Sequence, residues 1–238
     1  MSFDAQAAAA ALSARYQDAS TLQLLRGLLL RDLPGRIKLV SSFGAESAVL
    51  LDLVARVDRH VEVVFVDSGH LFDETLAYRD RLVRRLGLTR VTTVAPRPEL
   101  VADLDPNGRL HATQGGLCCY IRKVEPLERA LGEVEGWISG RKRFQAHTRE
   151  ALPRIEVVDG RLKINPLADW TKADLDRYFD ARALPRHPLE AAGYLSIGCR
   201  PCTTPVAEGE DPRAGRWRGQ DKVECGIHGP ADADLSPL

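Results

Sequence analysis

Short apolar runs alternate with longer amphipathic stretches along most of the chain. The β-branched run at 61–66 predicts a strand buried on both faces, and the apolar runs at 37–40 and 91–94 predict two more strands. The stretches at 48–57 and 75–88 carry apolar residues at helical spacing. Strands that alternate with helices form right-handed βαβ units, so we expect an α/β fold with a mostly parallel sheet flanked by helices.

The second half of the chain predicts another strand, a hairpin and a helix. Residues 137–139 form a short apolar segment typical of a strand. Two strand-like segments, 155–158 and 161–164, flank an Asp-Gly dipeptide, which favours a tight turn. A further helix is predicted from a Thr171 cap through Ala183.

The chain becomes rich in Pro, Gly and Arg after about residue 184, which predicts irregular structure. We expect one α/β domain over 1–210 and a mobile C-terminal segment over 211–238. The alanine-rich start is typical of an amphipathic helix rather than of a targeting segment. Charged residues interrupt the longest apolar stretches, so no membrane span is predicted, and we expect a cytoplasmic protein with reduced thiols.

Composition narrows the classes of function. The 33 Lys and Arg residues balance the 33 Asp and Glu residues, and a formal net charge of zero argues against a broad nucleic-acid or membrane-surface binder. With 44% hydrophobic residues the chain can form a globular core, which excludes wholesale disorder. A local cationic patch is still compatible with this balance.

Two loops that follow predicted strands are rich in small polar residues. They read Ser41-Ser42-Phe43-Gly44-Ala45-Glu46-Ser47 and Asp67-Ser68-Gly69-His70. A glycine permits a tight turn, and the free N–H groups at the start of the following helix can bind a phosphate. The first loop alone is explained as well by an ordinary serine cap on a core helix. Two such loops at adjacent strand ends favour a nucleotide crevice at the carboxyl edge of the sheet.

The five cysteines form an adjacent pair, a Cys-x-x-Cys motif and a single residue; they are Cys118, Cys119, Cys199, Cys202 and Cys225. The pair and the motif together supply four thiolates, enough for zinc or an iron–sulfur cluster. Neighbouring side chains diverge by about 100° on a regular helix, so the adjacent pair needs a bent or terminal helix to bind one group. Taken separately, the pair is typical of small buried residues and the motif of a redox dithiol. Together they favour a shared metal.

The single cysteine, Cys225, lies three residues before His228 near the end of the chain. An exposed thiol near a histidine can ionise in part and act as a nucleophile. The alternative interpretation is an incidental surface cysteine, and composition does not distinguish the two.

The densest cationic stretch is 140–149, which follows the fourth predicted strand. Such a stretch is usually a solvated loop. Like charges crowded in a neutral protein carry an electrostatic cost unless an anion relieves it, and arginine suits bidentate contacts with phosphate or sulfate. A small polyanion is favoured over nucleic acid, because only 6% of the residues are aromatic.

The order of these motifs resembles the adenylyl-sulfate / phosphoadenylyl-sulfate reductase family, in its bacterial iron–sulfur, thioredoxin-dependent branch. The resembling segments run from about Leu39 to His228 and read SSFGAES, VDSGHLFDET, CCYIRKVEPL, GRKRFQAHTR, INPLADWT, HPLEAAGYLSIGCRPCT and ECGIH. The resemblance implies a Rossmann-like fold of the adenine nucleotide α-hydrolase type.

The resemblance also implies roles for particular residues. The catalytic residues would be Cys225, His228, Lys123 and Arg143. A 4Fe-4S cluster would be held by Cys118, Cys119, Cys199 and Cys202. The substrate would be bound by Ser41, Ser42, Gly44, Glu46, Ser47, Asp67, Ser68, Gly69, Arg143, Gln145 and Arg149.

The implied reaction is the reduction of adenylyl sulfate to sulfite and AMP through an S-sulfonate on Cys225, in sulfate assimilation and cysteine biosynthesis. A separate thioredoxin or glutaredoxin would be the reductant. The four-cysteine pattern favours adenylyl sulfate, while phosphoadenylyl sulfate or dual specificity stays open, as does a homo-oligomer. The chain departs from the family at Lys142 and Phe144, where Arg and an acidic residue are common, and at Ser68, where Thr is common.

Two other classes of protein share parts of this pattern. A tRNA-thiolating enzyme would use ATP and an RNA-binding surface, which the zero net charge and the ECGIH segment argue against. A non-enzymatic nucleotide-binding iron–sulfur sensor would keep the four ligands and tolerate the loss of Cys225.

Overall fold

The computed structural model describes residues 3–220 and 222–227. Within them one six-stranded sheet has the order β3-β2-β1-β4-β6-β5. The strands are β1 (Ile37–Val40), β2 (Val63–Val66), β3 (Val91–Val94), β4 (Gly136–Ile138), β5 (Ile155–Val158) and β6 (Arg161–Ile164). Every neighbouring pair is parallel except β5 and β6, which form an antiparallel hairpin at one edge.

Helices cover both faces of the sheet, as expected for parallel strands joined by crossovers. They are α1 (Ala5–Arg15), α2 (Thr21–Gly27), α3 (Ser47–Val57), α4 (Asp73–Leu86), α5 (Pro98–Leu104), α6 (Leu110–Thr113), α7 (Gly115–Cys119), α8 (Glu125–Leu131) and α9 (Lys172–Ala181). Two π-helical segments, Leu28–Asp32 and Tyr120–Val124, extend α2 and α7. In the described part of the chain, no helix is both long and apolar enough to cross a bilayer.

The core lies between the sheet and the helices on one face, with α3 at its centre. Seven of the eleven residues of α3 are buried, which marks it as an interior helix rather than a surface one. Leu39 on β1 and Val63 and Phe65 on β2 are fully buried in the same cluster. A smaller cluster around Trp137 fills the opposite face of the sheet.

The strand order creates a switch point between β1 and β4. From β1 the chain builds outwards through β2 to β3, and it then returns to place β4 on the other side of β1. The loops that leave β1 and β4 therefore diverge, and a crevice opens between them at the carboxyl ends of the strands. This position is where an α/β protein of this type binds its ligand.

The predicted α/β fold and its mostly parallel sheet are confirmed. Four strands have the predicted bounds, the 61–66 run begins pairing only at Val63, and β4 is shifted by one residue to Gly136–Ile138. The last helix ends at Ala181 instead of Ala183, because Ala183 takes a left-handed backbone with φ +47°. The division into 1–210 and 211–238 stays a prediction.

Candidate active site

A cavity of about 370 Å³ opens at the switch point. It is lined by the loop after β1, the loop after β4, the segment 195–198 and residues of the C-terminal segment. This volume suits a small ligand of nucleotide size. The crevice predicted from the polar loops is therefore present, between β1 and β4 rather than between β1 and β2.

The loop after β1 turns on an aromatic residue. Phe43 has φ +49° in the left-handed region, and its N–H donates to Ser41 Oγ at 3.2 Å. The Phe43 ring is fully buried and meets the edge of Phe65, which holds the strained conformation in place. Gly44 was expected to supply the tight turn, but its backbone has no positive φ. A Cβ there would lie 3.6 Å from the Ile197 carbonyl oxygen, an ordinary contact distance, so the close approach of the two loops does not require a glycine.

The N-terminus of α3 faces this cavity. Glu46 and Ser47 line it, and no side chain caps the first turn of the helix. The Ser47 N–H donates to the Gly44 carbonyl oxygen at 3.0 Å, so the N–H groups that follow it in the first turn of α3 are the ones available to an anion, which the helix dipole favours there. Ser41 and Ser42 add hydroxyl groups to the same wall.

Lys142 neutralises the acidic residue beside this helix end. Its side chain is almost fully buried, with Nζ 3.0 Å from Glu46 Oε2 and donating to the Gly140 carbonyl oxygen at 2.8 Å. Gln145 Nε2 donates to the same Glu46 oxygen at 2.8 Å. Burial lowers the pKa of Lys142 and Glu46 opposes that shift. Lys142 thus joins the loop after β4 to the loop after β1.

The C-terminal segment closes one side of the cavity and brings Cys225 to its wall. Arg149, 7% exposed, donates to Glu224 Oε1 through Nε at 2.9 Å and lies within 2.6 Å of it through Nη2. Arg213 donates to the other Glu224 oxygen at 3.1 Å and to the Val223 carbonyl oxygen at 2.8 Å.

Three cations share the wall of this cavity with the Cys225 thiol. The charge of Cys225 acts on Lys123, Arg149 and Arg216, and all three side chains line the same cavity. Burial lowers the pKa of Arg216, and the charge of Cys225 opposes that shift.

Trp217 holds Arg216 in this position. The Arg216 guanidinium lies 4.3 Å from the centre of the Trp217 ring, which is 4% exposed. Trp217 itself has φ +48°, a second strained residue at the site. Cation–π contact and burial together restrict the arginine.

The other four cysteines line a second, narrower cavity. Cys118 and Cys119 lie at the end of α7, where the chain widens into the π-helical segment Tyr120–Val124. The adjacent pair therefore occupies a helix end, as the sequence required for both to face one group. Cys199 and Cys202 form the opposite wall. Lys123 and Trp217 line both cavities, so they separate the four thiols from Cys225.

Two observations test whether these thiols fit a metal group. No set of three or more His, Cys, Asp or Glu side chains among residues 3–220 and 222–227 is arranged to hold a metal ion. A multinuclear cluster differs, because each thiolate binds a different iron and the four sulfurs stand further apart. Burial and then the neighbouring thiols raise the pKa of Cys118 to about 12, so added positive charge is needed to ionise this thiol. Four cysteines around one cavity supply the thiolate donors that an iron–sulfur cluster takes.

Polar groups around the thiols support the same conclusion. Ser68 Oγ lies 3.1 Å from Cys199 Sγ. His70 lines the cysteine cavity, and its buried Nε2 has no hydrogen-bond partner among the described residues. Thiolate sulfurs of a cluster accept hydrogen bonds of this kind.

Comparison with known proteins identifies the family. Residues 36–205 match the phosphoadenosine phosphosulfate reductase domain. An adenosine 5'-phosphosulfate reductase of Mesorhizobium japonicum is 50% identical over 222 residues, which are 93% of this chain and 87% of that protein. A phosphoadenosine 5'-phosphosulfate reductase of Gloeobacter violaceus is 42% identical over 198 residues, 81% and 82% of the two chains. The chain belongs to the phosphoadenosine phosphosulfate reductase family.

Solved structures agree with this family. The crystal structure of phosphoadenylyl-sulfate reductase from Candida auris, a phosphate complex, has a TM-score of 0.71 and 27% identity, and the match covers 86% of this chain and 99% of that chain. Yeast FAD synthetase has a TM-score of 0.54 at 17% identity, covering 84% and 75%, which shows a shared fold alone. The fold is thus the adenine-nucleotide-binding fold that the sequence predicted.

The reductase fold brings most of the predicted residues to one place. Those that line the large cavity are Ser41, Ser42, Gly44, Glu46, Ser47, Lys123, Gln145, Arg149 and Cys225. Arg143 does not line it; its side chain pairs with Asp169 and donates to the Leu152 carbonyl oxygen. His228 lies outside the described residues. The roles of all these residues in binding or catalysis stay predictions.

The loop after β2 faces the cysteines instead of the large cavity. Asp67, Ser68 and Gly69 are absent from the lining of that cavity, and Ser68 contacts Cys199. Arg122 fixes this loop by donating to the Ser68 carbonyl oxygen at 3.1 Å while paired with buried Asp105. From the sequence, the loops after both strands were expected to bind one nucleotide.

Sequence reasoning missed Arg213, Arg216 and Trp217. They lie in the Pro-, Gly- and Arg-rich region for which irregular structure and a mobile C-terminal segment were predicted. The one available signal was the Arg-x-x-Arg-Trp pattern, a tryptophan beside two arginines shortly before Cys225.

Proposed function

We propose that this chain reduces adenylyl sulfate to sulfite and AMP, with Cys225 as the nucleophile and thioredoxin or glutaredoxin as the reductant. The observation that carries the proposal is the position of Cys225. It lines a nucleotide-sized cavity between an uncapped helix N-terminus and three cations. The names of the relatives from Mesorhizobium and from Chelativorans, each 50% identical, support the substrate class.

The cavity offers separate places for the two acidic groups of the substrate. The AMP phosphate would be bound by the N–H groups that follow Ser47 in the first turn of α3 and by the hydroxyls of Ser41 and Ser42. The sulfate would lie towards Lys123 and Arg216, which both face Cys225. Because these cations offset the charge of the sulfate, a thiolate can approach it.

In the first step the Cys225 thiolate attacks the sulfur of the sulfate group. An S–S bond forms while the bond from that sulfur to the phosphate oxygen breaks, and AMP leaves with the electron pair. Cations and helix N–H groups stabilise the charge that develops on the phosphate oxygen. The product on the enzyme is a Cys225 S-sulfonate.

In the second step a thiolate of the reductant attacks the Cys225 sulfur. Sulfite leaves with the electron pair of the S–S bond, and a mixed disulfide joins the two proteins. The second thiol of the reductant then releases Cys225 as a thiolate and closes its own disulfide. The two thiols supply both electrons.

A 4Fe-4S cluster held by Cys118, Cys119, Cys199 and Cys202 is part of this proposal. The cluster would fix the four thiolates and contribute, with Lys123, to the electrostatic field at the sulfate. A cytoplasmic location belongs to the same proposal, because all five cysteines must stay reduced.

We propose adenylyl sulfate rather than its 3′-phosphorylated form as the substrate, because the two relatives that are 50% identical are named for adenosine 5'-phosphosulfate. The Gloeobacter relative, at 42% identity, is named for phosphoadenosine 5'-phosphosulfate. Phosphoadenylyl sulfate is therefore the second candidate substrate for the same site.

Sulfite release with thioredoxin tests the proposal. The wild-type protein should form sulfite from adenylyl sulfate at a higher kcat/KM than from phosphoadenylyl sulfate, and Cys225→Ser should form none. A Cys225→Ser protein that still releases sulfite would contradict the nucleophile. Release only from the 3′-phosphorylated substrate would replace the preferred substrate by the second candidate. A wild-type protein that releases none from either nucleotide would contradict the function.

A further inference from the structure

We propose that Glu224 is the positioning residue that seats Cys225 in the cavity, by bridging Arg149 and Arg213. This inference rests on the proposed function of Cys225. It assigns to Arg149 the task of holding the C-terminal segment in place of contacting substrate.

The bridge uses both oxygens of the carboxylate. Oε1 accepts the Nε–H of Arg149 at 2.9 Å and lies 2.6 Å from Nη2 of the same guanidinium, and Oε2 accepts from Arg213 at 3.1 Å. Arg213 also holds the preceding carbonyl, that of Val223, at 2.8 Å. A carboxylate held from two sides by charge-assisted hydrogen bonds fixes its own backbone, and Cys225 is the next residue.

The burial and the hydrogen bonds of Arg149 suit it to hold Glu224. It is buried, and its remaining nitrogen, Nη1, donates to Gln145 Oε1 at 2.8 Å. Each of its three nitrogens therefore contacts Glu224 or Gln145. A substrate anion would have to compete with Glu224 for this guanidinium, while Lys123 and Arg216 line the same cavity.

Two residues fix the chain around Cys225: Glu224 before it, through polar contacts, and Ile227 after it, through packing. Val223, before it, is 67% exposed and contributes no packing. Ile227, after it, packs against the cluster around Trp137. Cys225 is thus held between the charged contact of Glu224 and the apolar contact of Ile227. Glu224 is the nearer of the two, since it directly precedes Cys225 in the sequence.

The charged anchor is continuous with the nucleotide loop. From Glu224 the hydrogen bonds run through Arg149 and Gln145 to Glu46, at the start of α3. The side chains that place the cysteine and those that form the anion site therefore share one network. Misplacing a reacting atom by about 1 Å can cost on the order of a hundredfold in rate.

The test compares Glu224→Gln and Glu224→Asp with Glu210→Gln. Glu210 is the matched control, since it pairs with Arg218 in the same part of the chain and lies outside the cavity lining. Three quantities are measured on the full chain: the kcat and KM for sulfite release, the affinity for AMP, and the rate at which iodoacetamide alkylates Cys225, followed by peptide mass.

The proposal predicts a loss in kcat of at least about tenfold for Glu224→Gln, with KM and the AMP affinity within about twofold of wild type. The alkylation rate of Cys225 should change, Glu224→Asp should recover part of the kcat, and Glu210→Gln should match wild type. Tighter AMP binding without a loss in kcat would overturn the proposal, because Glu224 would then merely occupy a substrate site. A Glu224→Gln protein that matches wild type in all three quantities would also overturn it.

The alkylation rate of Cys225 distinguishes a failure of the Glu224 anchor from a failure of the proposed reaction. It reports the placement of Cys225 whether or not sulfite is made. If wild type makes no sulfite but Glu224→Gln alone changes the alkylation rate, the anchor stands and the reaction fails. If sulfite is made and no Glu224 variant alters kcat or alkylation, the reaction stands and the anchor fails.

Discussion

At the scale of single residues, His187 shows how burial selects a protonation state. The imidazole is 1% exposed, its Nδ1 accepts the Leu189 N–H at 3.2 Å, and Nε2 lies 3.1 Å from Thr75 Oγ1. The neutral ring with its proton on Nε2 satisfies both contacts, and a second proton would break the first. Burial lowers the pKa of His187 to about 4.

The stability of the protein should fall as the pH drops from about 6.5 towards 4. In that window the unfolded chain binds a proton at His187 and the folded chain does not, so the free energy of unfolding decreases. We expect His187 to contribute about 2 kcal/mol of this loss, after allowance for screening. Urea unfolding across this range should show a smaller loss in His187→Gln, whose amide can keep both contacts. Equal losses in the two proteins would contradict this assignment.

Residue-scale features were the least predictable from sequence. The left-handed Phe43 could not be foreseen, because a glycine stood next to it and glycine is the usual residue for such a turn. The cysteines were identified, since their residue type carries chemistry wherever it lies. The roles of Lys142 and Arg149 depend on which carboxylates the fold brings to them, Glu46 and Glu224, from distant parts of the chain.

At the scale of elements, the site depends on the close approach of β4 and β6. Gly136 begins β4 and pairs with Ile37 on one side and Leu162 on the other. A Cβ at Gly136 would lie 2.5 Å from the Leu162 carbonyl oxygen and 2.7 Å from its Cβ. Only glycine at position 136 lets β6 pair this closely with β4. This pairing matters for the site because the loop that follows β4 carries Lys142.

Gly136→Ala should destabilise the protein by about 2 kcal/mol, because backbone of β6 must shift to admit the methyl group. Gly140→Ala is the matched control, since a Cβ there meets only Leu50 at an ordinary 3.7 Å. Urea denaturation should show a lower midpoint for Gly136→Ala and a midpoint near wild type for Gly140→Ala. Equal midpoints for the two variants would show that the strands can separate without cost.

Elements with a strong local pattern were predictable, and those set by their neighbours were not. The hairpin of β5 and β6 and the Thr171 cap with Asp174 appear as predicted, because turn and capping chemistry are local. The π-helical segment at Tyr120–Val124 has no sequence signature of its own. Cys118 and Cys119, just before it, line the cysteine cavity, and Lys123 within it lines both cavities.

At the scale of the whole molecule, the four-cysteine site joins two distant parts of the chain. One wall comes from the end of α7 and the other from the segment that leads to Trp217 and Cys225. Trp217 and Lys123 line both this site and the large cavity. A group bound by the four thiolates would therefore fix the wall against which the substrate lies.

Replacing any one of the four proposed ligands by serine should remove the cluster. We expect about four irons per chain and visible absorbance for the wild type, and neither for Cys118→Ser or Cys202→Ser. Cys225→Ser is the control, and it should keep both, because Cys225 lines the other cavity. Iron and acid-labile sulfide analysis checks this. A zinc-loaded, colourless wild type would contradict the cluster.

The most direct test of the account is the mass of Cys225 after one turnover without reductant. Protein incubated with adenylyl sulfate and then digested should carry one added SO₃ on the peptide that contains Cys225, and released AMP should equal the modified fraction. Thioredoxin should remove the adduct and release sulfite. An adduct on another residue, or AMP released in excess of the adduct on Cys225, would contradict the account.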